Sequence, residues 1–292
     1  MALFGSVDDA RAKLAGTGYL ADEAVATGVF LADALTKPIL VEGPAGTGKT
    51  ELAKAVAQAT GARLVRLQCY EGLDEARALY EWNYRKQLLR IQAAPEASGG
   101  AGWAALQDDI FGPDYLLERP LLAAIRGSEP TVLLIDETDK ADVEIEGLLL
   151  ELLSDYQVTV PELGTVRAEQ VPFVVLTSNA SRELSEALKR RCLYLYADYP
   201  SAELEREIVL TRVPEASAEL AGQVVRAIRA LRGLELRKPP SVAESIDWAR
   251  SVLAVGAPGL DDATAAATLG VVLKHPSDQA RAREALSPSG RR

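Results

Sequence analysis

Ile39-Leu40-Val41-Glu42-Gly43-Pro44-Ala45-Gly46-Thr47-Gly48-Lys49-Thr50 is the stretch on which the fold turns. Its last eight residues follow G-x-x-x-x-G-K-[ST], the pattern of a loop that cradles phosphates. Ile39 to Val41 reads as a short buried strand, and the residues from Glu51 read as a helix of strong formers. Gly43, Gly46 and Gly48 let the backbone curl around an anion, while successive amides and the helix N-terminus aim partial positive charge at it. Lys49 has the reach for the β- and γ-phosphates, and the Thr50 hydroxyl suits Mg²⁺. An ordinary Gly-rich turn needs neither the Lys-Thr pair nor both flanking elements. Gly43, Pro44, Ala45, Gly46, Thr47, Gly48, Lys49 and Thr50 are therefore expected to hold a nucleoside triphosphate with Mg²⁺, which the family resemblance given below makes ATP.

Thr131-Val-Leu-Leu-Ile-Asp136-Glu137 is the second informative stretch. Four apolar residues make a strand buried on both faces, and two carboxylates follow at the C-terminal end, where ligands sit in open α/β sheets. Ionised carboxylates beside a buried strand are costly unless a metal or polar partner awaits them. Asp136 is expected to hold Mg²⁺ through water, and Glu137 to orient and deprotonate the attacking water. Phe173 to Ser178 repeats the pattern, and Asn179 at its end fits a residue that positions water or senses the γ-phosphate. Leu184 to Cys192 reads as a short helix ending in Lys189, Arg190 and Arg191. Two readings stand side by side there: cations complementing the helix dipole, and an arginine finger reaching a neighbouring subunit's nucleotide.

The chain has 292 residues, 48% hydrophobic and 25% charged, so a sizeable core is available and wholesale disorder is excluded. A formal net charge of −10 argues against nucleic-acid backbone binding as the main task. Cys69, Cys192 and His275 are the only residues of their types, too few for a zinc site or a disulfide framework. The opening residues lack a basic segment followed by an apolar one, and the apolar runs are strand-sized, so a cytoplasmic chain is expected.

Along the chain, residues 6–36 suggest two helices broken at Gly16-Thr17-Gly18. Tyr19 and Leu20 follow, either as a hydrophobic staple or as a contact to a nucleotide base. A second strand is expected from Ala62 to Leu67, a long helix from Asp74 to Gln92, an exposed loop over 93–102, and further helix from Trp103 to Arg126. Tyr70 has two readings, a turn-packing side chain or a pore-lining aromatic. Tyr156 to Ala168 reads as a β-hairpin. From Pro200 the texture turns helical, with a capping box at Ser241-Val-Ala-Glu244. An α/β domain over 1–199, with a helical insertion at about 73–127, then precedes a helical lid over 200–276 and a polar, fraying tail from 277 to 292.

In this order, the phosphate loop, the Asp-Glu and Asn strand ends, the Arg-tipped helix and the helical lid resemble an AAA+ ATPase from Ala21 to Lys274. The helical insertion and the hairpin before Asn179 are similar to the MoxR family. Leu79 to Tyr84, Gln87 to Gln92, Arg191 to Pro200 and Lys238 to Glu244 resemble its CoxD-like branch. The resemblance implies a parallel-sheet P-loop domain, and Walker A at Gly43 to Thr50, Walker B at Asp136 and Glu137, and sensor 1 at Asn179. It also implies a finger at Arg191 with Arg190 in reserve. Its further implications are a ring, a hexamer by preference, a von Willebrand A-domain partner and a client such as a molybdenum-containing carbon monoxide dehydrogenase. The sequence departs from the family at Pro240-Ser241-Val242-Ala243, where a Ser-Pro-Arg sensor 2 is common; two readings stand, a substitute in Arg237 or Lys238 and no sensor 2 at all. Two other functions share these motifs, a DNA-directed AAA+ machine and a non-hydrolysing nucleotide switch.

Overall fold

The computed structural model describes residues 2–93, 106, 109–161 and 163–286. Two helices, α1 (Val7–Gly16) and α2 (Glu23–Ala34), lead in, each capped by a side chain: Ser6 for α1 and Asp22 for α2. The central sheet is parallel, five-stranded and ordered β2 (Arg63–Gln68), β5 (Thr131–Asp136), β8 (Phe173–Ser178), β1 (Ile39–Glu42), β9 (Leu193–Tyr196). β5 and β8 are buried at every position, as expected of strands covered on both faces. Alternation along them feeds two separate cores: Leu133, Ile135, Val174 and Leu176 pack on one face, and Val132, Leu134 and Val175 on the other.

Helix α3 (Lys49–Thr60) follows β1 directly and covers the second face through Leu52, Ala53 and Val56. The first face is covered by α6 (Pro120–Ile125) and α7 (Val143–Asp155), the latter through Ile145, Leu149 and Leu152. Antiparallel strands β6 (Gln157–Val160) and β7 (Gly164–Arg167) extend from the end of α7. Helix α8 (Glu186–Lys189) then leads into edge strand β9.

The stretch expected as one long helix, Asp74 to Gln92, is broken. α4 (Glu75–Ala78) gives way to β3 (Tyr80–Trp82), and α5 (Tyr84–Gln92) restarts behind an Asn83 cap. β3 pairs antiparallel with β4 (Leu116–Glu118), which replaces part of the helix expected from Trp103 to Arg126. Trp82 packs edge-on to Phe111 at 5.4 Å, so the aromatics serve a small sheet rather than a helix face. The expected loop at 93–102 lies outside the described residues apart from Ala93. Tyr70 is exposed, and its carbonyl accepts the Leu73 N–H in a tight turn.

The C-terminal helices α9 (Ala202–Arg212), α10 (Ala218–Arg232), α11 (Val242–Ala254) and α12 (Asp262–Val272) enclose their own core around Val224, Ile228, Trp248 and Leu269. Glu205, fully buried, binds Arg232 through both carboxylate oxygens at 2.7 Å and also accepts from Ser245. The tail expected to fray from 277 is instead ordered as α13 (Pro276–Leu286) for most of its length. Asp278 accepts the Arg237 and Lys238 amides, and Ala282 is fully buried, so tertiary contacts hold a segment whose sequence is polar.

Candidate functional site

The C-terminal ends of β1, β5 and β8 meet at one cleft of about 720 Å³ that also takes in α11 and the start of α2. All three strand-end motifs face it: the loop from Ala45 to Thr50, then Asp136 and Glu137, then Asn179. Lys49 is buried, and its ammonium donates to the carbonyls of Gly43 at 2.7 Å and Pro44 at 2.6 Å. Burial lowers its pKa from the ordinary lysine value, against the pull of Asp139, Asp136, Glu137 and Glu42.

The loop glycines have sharper reasons than open space for an anion. A Cβ on Gly43 would lie 2.2 Å from the Ala197 carbonyl oxygen, and one on Gly46 would lie 2.2 Å from Ser241 Oγ. Gly46 and Gly48 also take φ of 75° and 92°, the left-handed region that L side chains avoid. The loop is thus pressed between the chain leaving β9 and the cap of α11.

Asp136 is almost wholly buried and richly satisfied. Oδ1 accepts from Thr50 Oγ1 at 2.9 Å and Thr177 Oγ1 at 2.6 Å, and Oδ2 accepts from the Arg66 guanidinium at 2.6 Å. Thr177 also accepts the Glu137 N–H at 2.9 Å, so one hydroxyl on β8 fixes both acids at the end of β5. Glu137 itself sits at φ 56°, a left-handed conformation costing about 1–3 kcal/mol that turns its side chain out of the strand. Its Oε2 receives Lys140 Nζ at 2.5 Å and Gln68 Nε2 at 3.0 Å. That contact raises the Lys140 pKa.

The set of oxygen donors suits a hard cation. Thr50 Oγ1 and Asp136 Oδ1 are already neighbours, and Mg²⁺ is commonly held by one or two protein oxygens plus substrate phosphates. Among the described residues no group of three His, Cys, Asp or Glu side chains is placed to hold a metal ion.

The cleft also has apolar lining, from Tyr19, Leu20, Val25, Leu204, Ile208 and Ile246. Tyr19 and Leu20 are therefore placed for the base-contact reading as well as for helix packing. The cations that the C-terminal helices add to the lining are Arg212 and Arg250, and Arg212 approaches Glu51 at 3.5 Å. Arg237 and Lys238, the candidate substitutes for a sensor 2, are not among the lining residues. Arg190 and Arg191 also stand outside the lining, exposed at the end of α8. Arg191 donates to Ser154 Oγ at 2.7 Å and to the Ala187 carbonyl at 3.0 Å. Sequence reasoning missed Thr177, Gln68, Arg66, Lys140 and Arg212; each is a common residue type whose meaning comes only from the strand or helix laid beside it.

The family model for the AAA domain (dynein-related subfamily) matches residues 38–192, more than half of the chain. An uncharacterised protein of Staphylococcus haemolyticus is 25% identical over 68% of this chain and 69% of its own length. A second, from Staphylococcus aureus, is 26% identical over 60% of both. The Chaperone protein ClpB of Bacillus anthracis is 26% identical over 58% of this chain, which spans only 16% of that protein. A structure of a Thermotoga maritima RuvB point mutant superposes with a TM-score of 0.50 at 16% identity, covering 91% of this chain and 72% of that one, a likeness of fold alone. No helix among the described residues is long and apolar enough to cross a membrane. With its phosphate loop, paired acids and Asn converging on one cleft, and with the family model spanning all of them, the chain belongs to the AAA domain family, dynein-related subfamily.

Proposed function

We propose that this protein is a Mg²⁺-dependent ATPase that works as a ring-forming remodelling chaperone of the MoxR type. The observation that carries the reading is the 2.9 Å contact between Thr50 and Asp136, which joins the phosphate loop to the acid pair in a single cleft. The apolar lining of the cleft suits a purine base, and the loop amides at the N-terminus of α3 suit the phosphates. Thr50 and Asp136 would hold Mg²⁺, which would supply neutralisation of the charge that develops on the phosphates.

Glu137 takes a proton from the attacking water as its oxygen bonds to the γ-phosphorus and the bond to the β,γ-bridging oxygen breaks, giving ADP and phosphate. Lys49 leaves its carbonyl partners for phosphate oxygens, and Asn179 orients the water or the γ-phosphate. A neighbour's Arg191, with Arg190 in reserve, supplies positive charge to the transition state across the subunit boundary; its exposure at the end of α8 supports that role. A hexamer is the ring size proposed. Remodelling requires ATP and ADP to favour different lid positions, since a ligand shifts an equilibrium only by its differential affinity.

Resemblance to the CoxD-like branch further supports a client among molybdenum hydroxylases such as carbon monoxide dehydrogenase, with a von Willebrand A-domain partner; kinship with a protein named as a chaperone agrees with the remodelling part. A DNA-directed machine has only a likeness of fold in its favour, against a net charge of −10.

Glu137→Gln tests the whole reading. It should bind a fluorescent ATP analogue normally, while steady-state phosphate release falls about 10²–10⁴-fold. Ordinary turnover in that variant removes Glu137 as the base. Stimulation of the wild-type ATPase by duplex DNA would favour the DNA-directed reading instead, and an ATP-loaded Glu137→Gln trap should retain the client and the A-domain partner in a pull-down.

A further inference from the structure

We propose that Asp139 is a positioning residue that holds Asn179 in register with Glu137; the inference rests on the hydrolytic reading given above. Asp139 lies in the short 3₁₀ turn Thr138–Lys140 that follows the acid pair, and it is 3% exposed. Its two oxygens are fully engaged by the loop after β8. Oδ1 accepts the Asn179 N–H at 3.1 Å, while Oδ2 accepts the Ser181 N–H at 3.1 Å and the Ser181 hydroxyl at 2.5 Å. Burial alone would raise its pKa, yet the bonds from Ser181 and Asn179 prevail and hold it below the ordinary carboxylate value, so the clamp is anionic.

The clamped amides bracket Ala180, a non-glycine residue at φ 55°. Glu137, two residues before Asp139, is a second non-glycine residue of the site in the left-handed region, at φ 56°. Both bends are conformations that persist only where surrounding bonds over-determine them. One carboxylate thus ties the strand end carrying the base to the strand end carrying the sensor. Arg182 braces the loop from its far side, donating to Glu146 and the Ala141 carbonyl at 2.5 Å each. Without the clamp the backbone at Asn179 is free to relax, and a displacement of about 1 Å in a catalytic group can cost about 10²-fold in rate. Asp139 also ranks first among the carboxylates whose charge acts on Lys49, so a purely electrostatic role is the competing one. That role would appear in nucleotide affinity rather than in turnover.

The experiment is a double-mutant cycle in phosphate release at saturating MgATP, with affinity read from a fluorescent ATP analogue and folding from thermal melting. Asp139→Ala should lower kcat about 10–10²-fold while affinity changes less than about twofold. In an Asn179→Ala background the same change should lower kcat by less than about twofold, because the group it acts through is gone. If the two losses multiply, or if Asp139→Ala weakens affinity and spares kcat, the positioning role is overturned while the sensor role of Asn179 stands. Unchanged turnover in Asn179→Ala alone overturns the sensor role and the inference with it. Should Asp139→Ala fail to fold, Asp139→Asn takes its place in the cycle: it keeps the volume but turns an amide donor toward the Asn179 or Ser181 N–H, and the same outcomes decide.

Discussion

A Cβ on Gly46 would stand 2.2 Å from Ser241 Oγ, so the backbone of the phosphate loop lies directly against the N-cap side chain of α11. Resemblance to the MoxR family would place a Ser-Pro-Arg sensor 2 here; this chain has Pro240-Ser241-Val242, and a close backbone-to-hydroxyl approach occupies the point.

Gly46→Ala should therefore act on the loop and the lid together. The added methyl must displace Ser241, and Ala at φ 75° is strained besides. Binding of a fluorescent ATP analogue should weaken at least about tenfold, equivalent to about 1.4 kcal/mol. An unchanged dissociation constant would mean that loop and cap do not meet in solution.

Arg191 is expected to act across a subunit boundary. Arg191→Ala and Lys49→Ala should each be nearly inactive alone, and mixed rings should recover part of the activity because each subunit supplies what its neighbour lacks. Fingers of this kind are worth about 10³–10⁵ in rate. Absence of recovery at every mixing ratio, followed by recovery with Arg190→Ala, would transfer the role to Arg190.

Arg232→Met should unfold the C-terminal helices readily. The side chain is 10% exposed, is bound to both oxygens of the fully buried Glu205, and donates to the Pro240 carbonyl. Removing one partner of such a pair leaves a buried charge uncompensated, at about 3–5 kcal/mol. In urea titrations the double variant Arg232→Met, Glu205→Leu should regain part of that loss; a single variant within about 1 kcal/mol of wild type would contradict this account.

Cysteine chemistry gives a pH-dependent check. Burial raises Cys69 and Cys192 from 9.0 to about 12. The unfolded thiols ionise near the ordinary value, so this stabilisation is complete below pH 9 and is lost as pH climbs from 9 to about 12. At pH 8 native protein should react slowly with a thiol reagent, Cys69 (1% exposed) later than Cys192, and denaturant should release both. Labelling of both at the rate of a free cysteine would refute the burial.

What the sequence made legible were features whose cause is local. The run Ile39 to Thr50 carries its strand, turn and helix start within a few residues, and the apolar runs 132–135 and 173–176 announce burial on both faces. Tyr80 to Trp82 failed because their strand partner, Leu116 to Glu118, is remote in sequence and nothing local competes with a helical pattern there. Pro276 to Leu286 failed for a related reason: its order depends on Asp278 capturing two amides from the loop before α11. Asp136, Glu137 and Asn179 were readable as strand ends, whereas Thr177 and Asp139 were not, since a lone hydroxyl or a third carboxylate gains meaning only across the gap between β5 and β8.

The missing side chain at Gly43 has a mechanical result. With the Ala197 carbonyl occupying the space a methyl would need, and the Ala197 N–H bound to the Glu42 carbonyl at 2.7 Å, the end of β1 and the exit from β9 form a single splint. Any swing of the helices that follow is therefore expected to pivot beyond it, at Asp198 to Pro200.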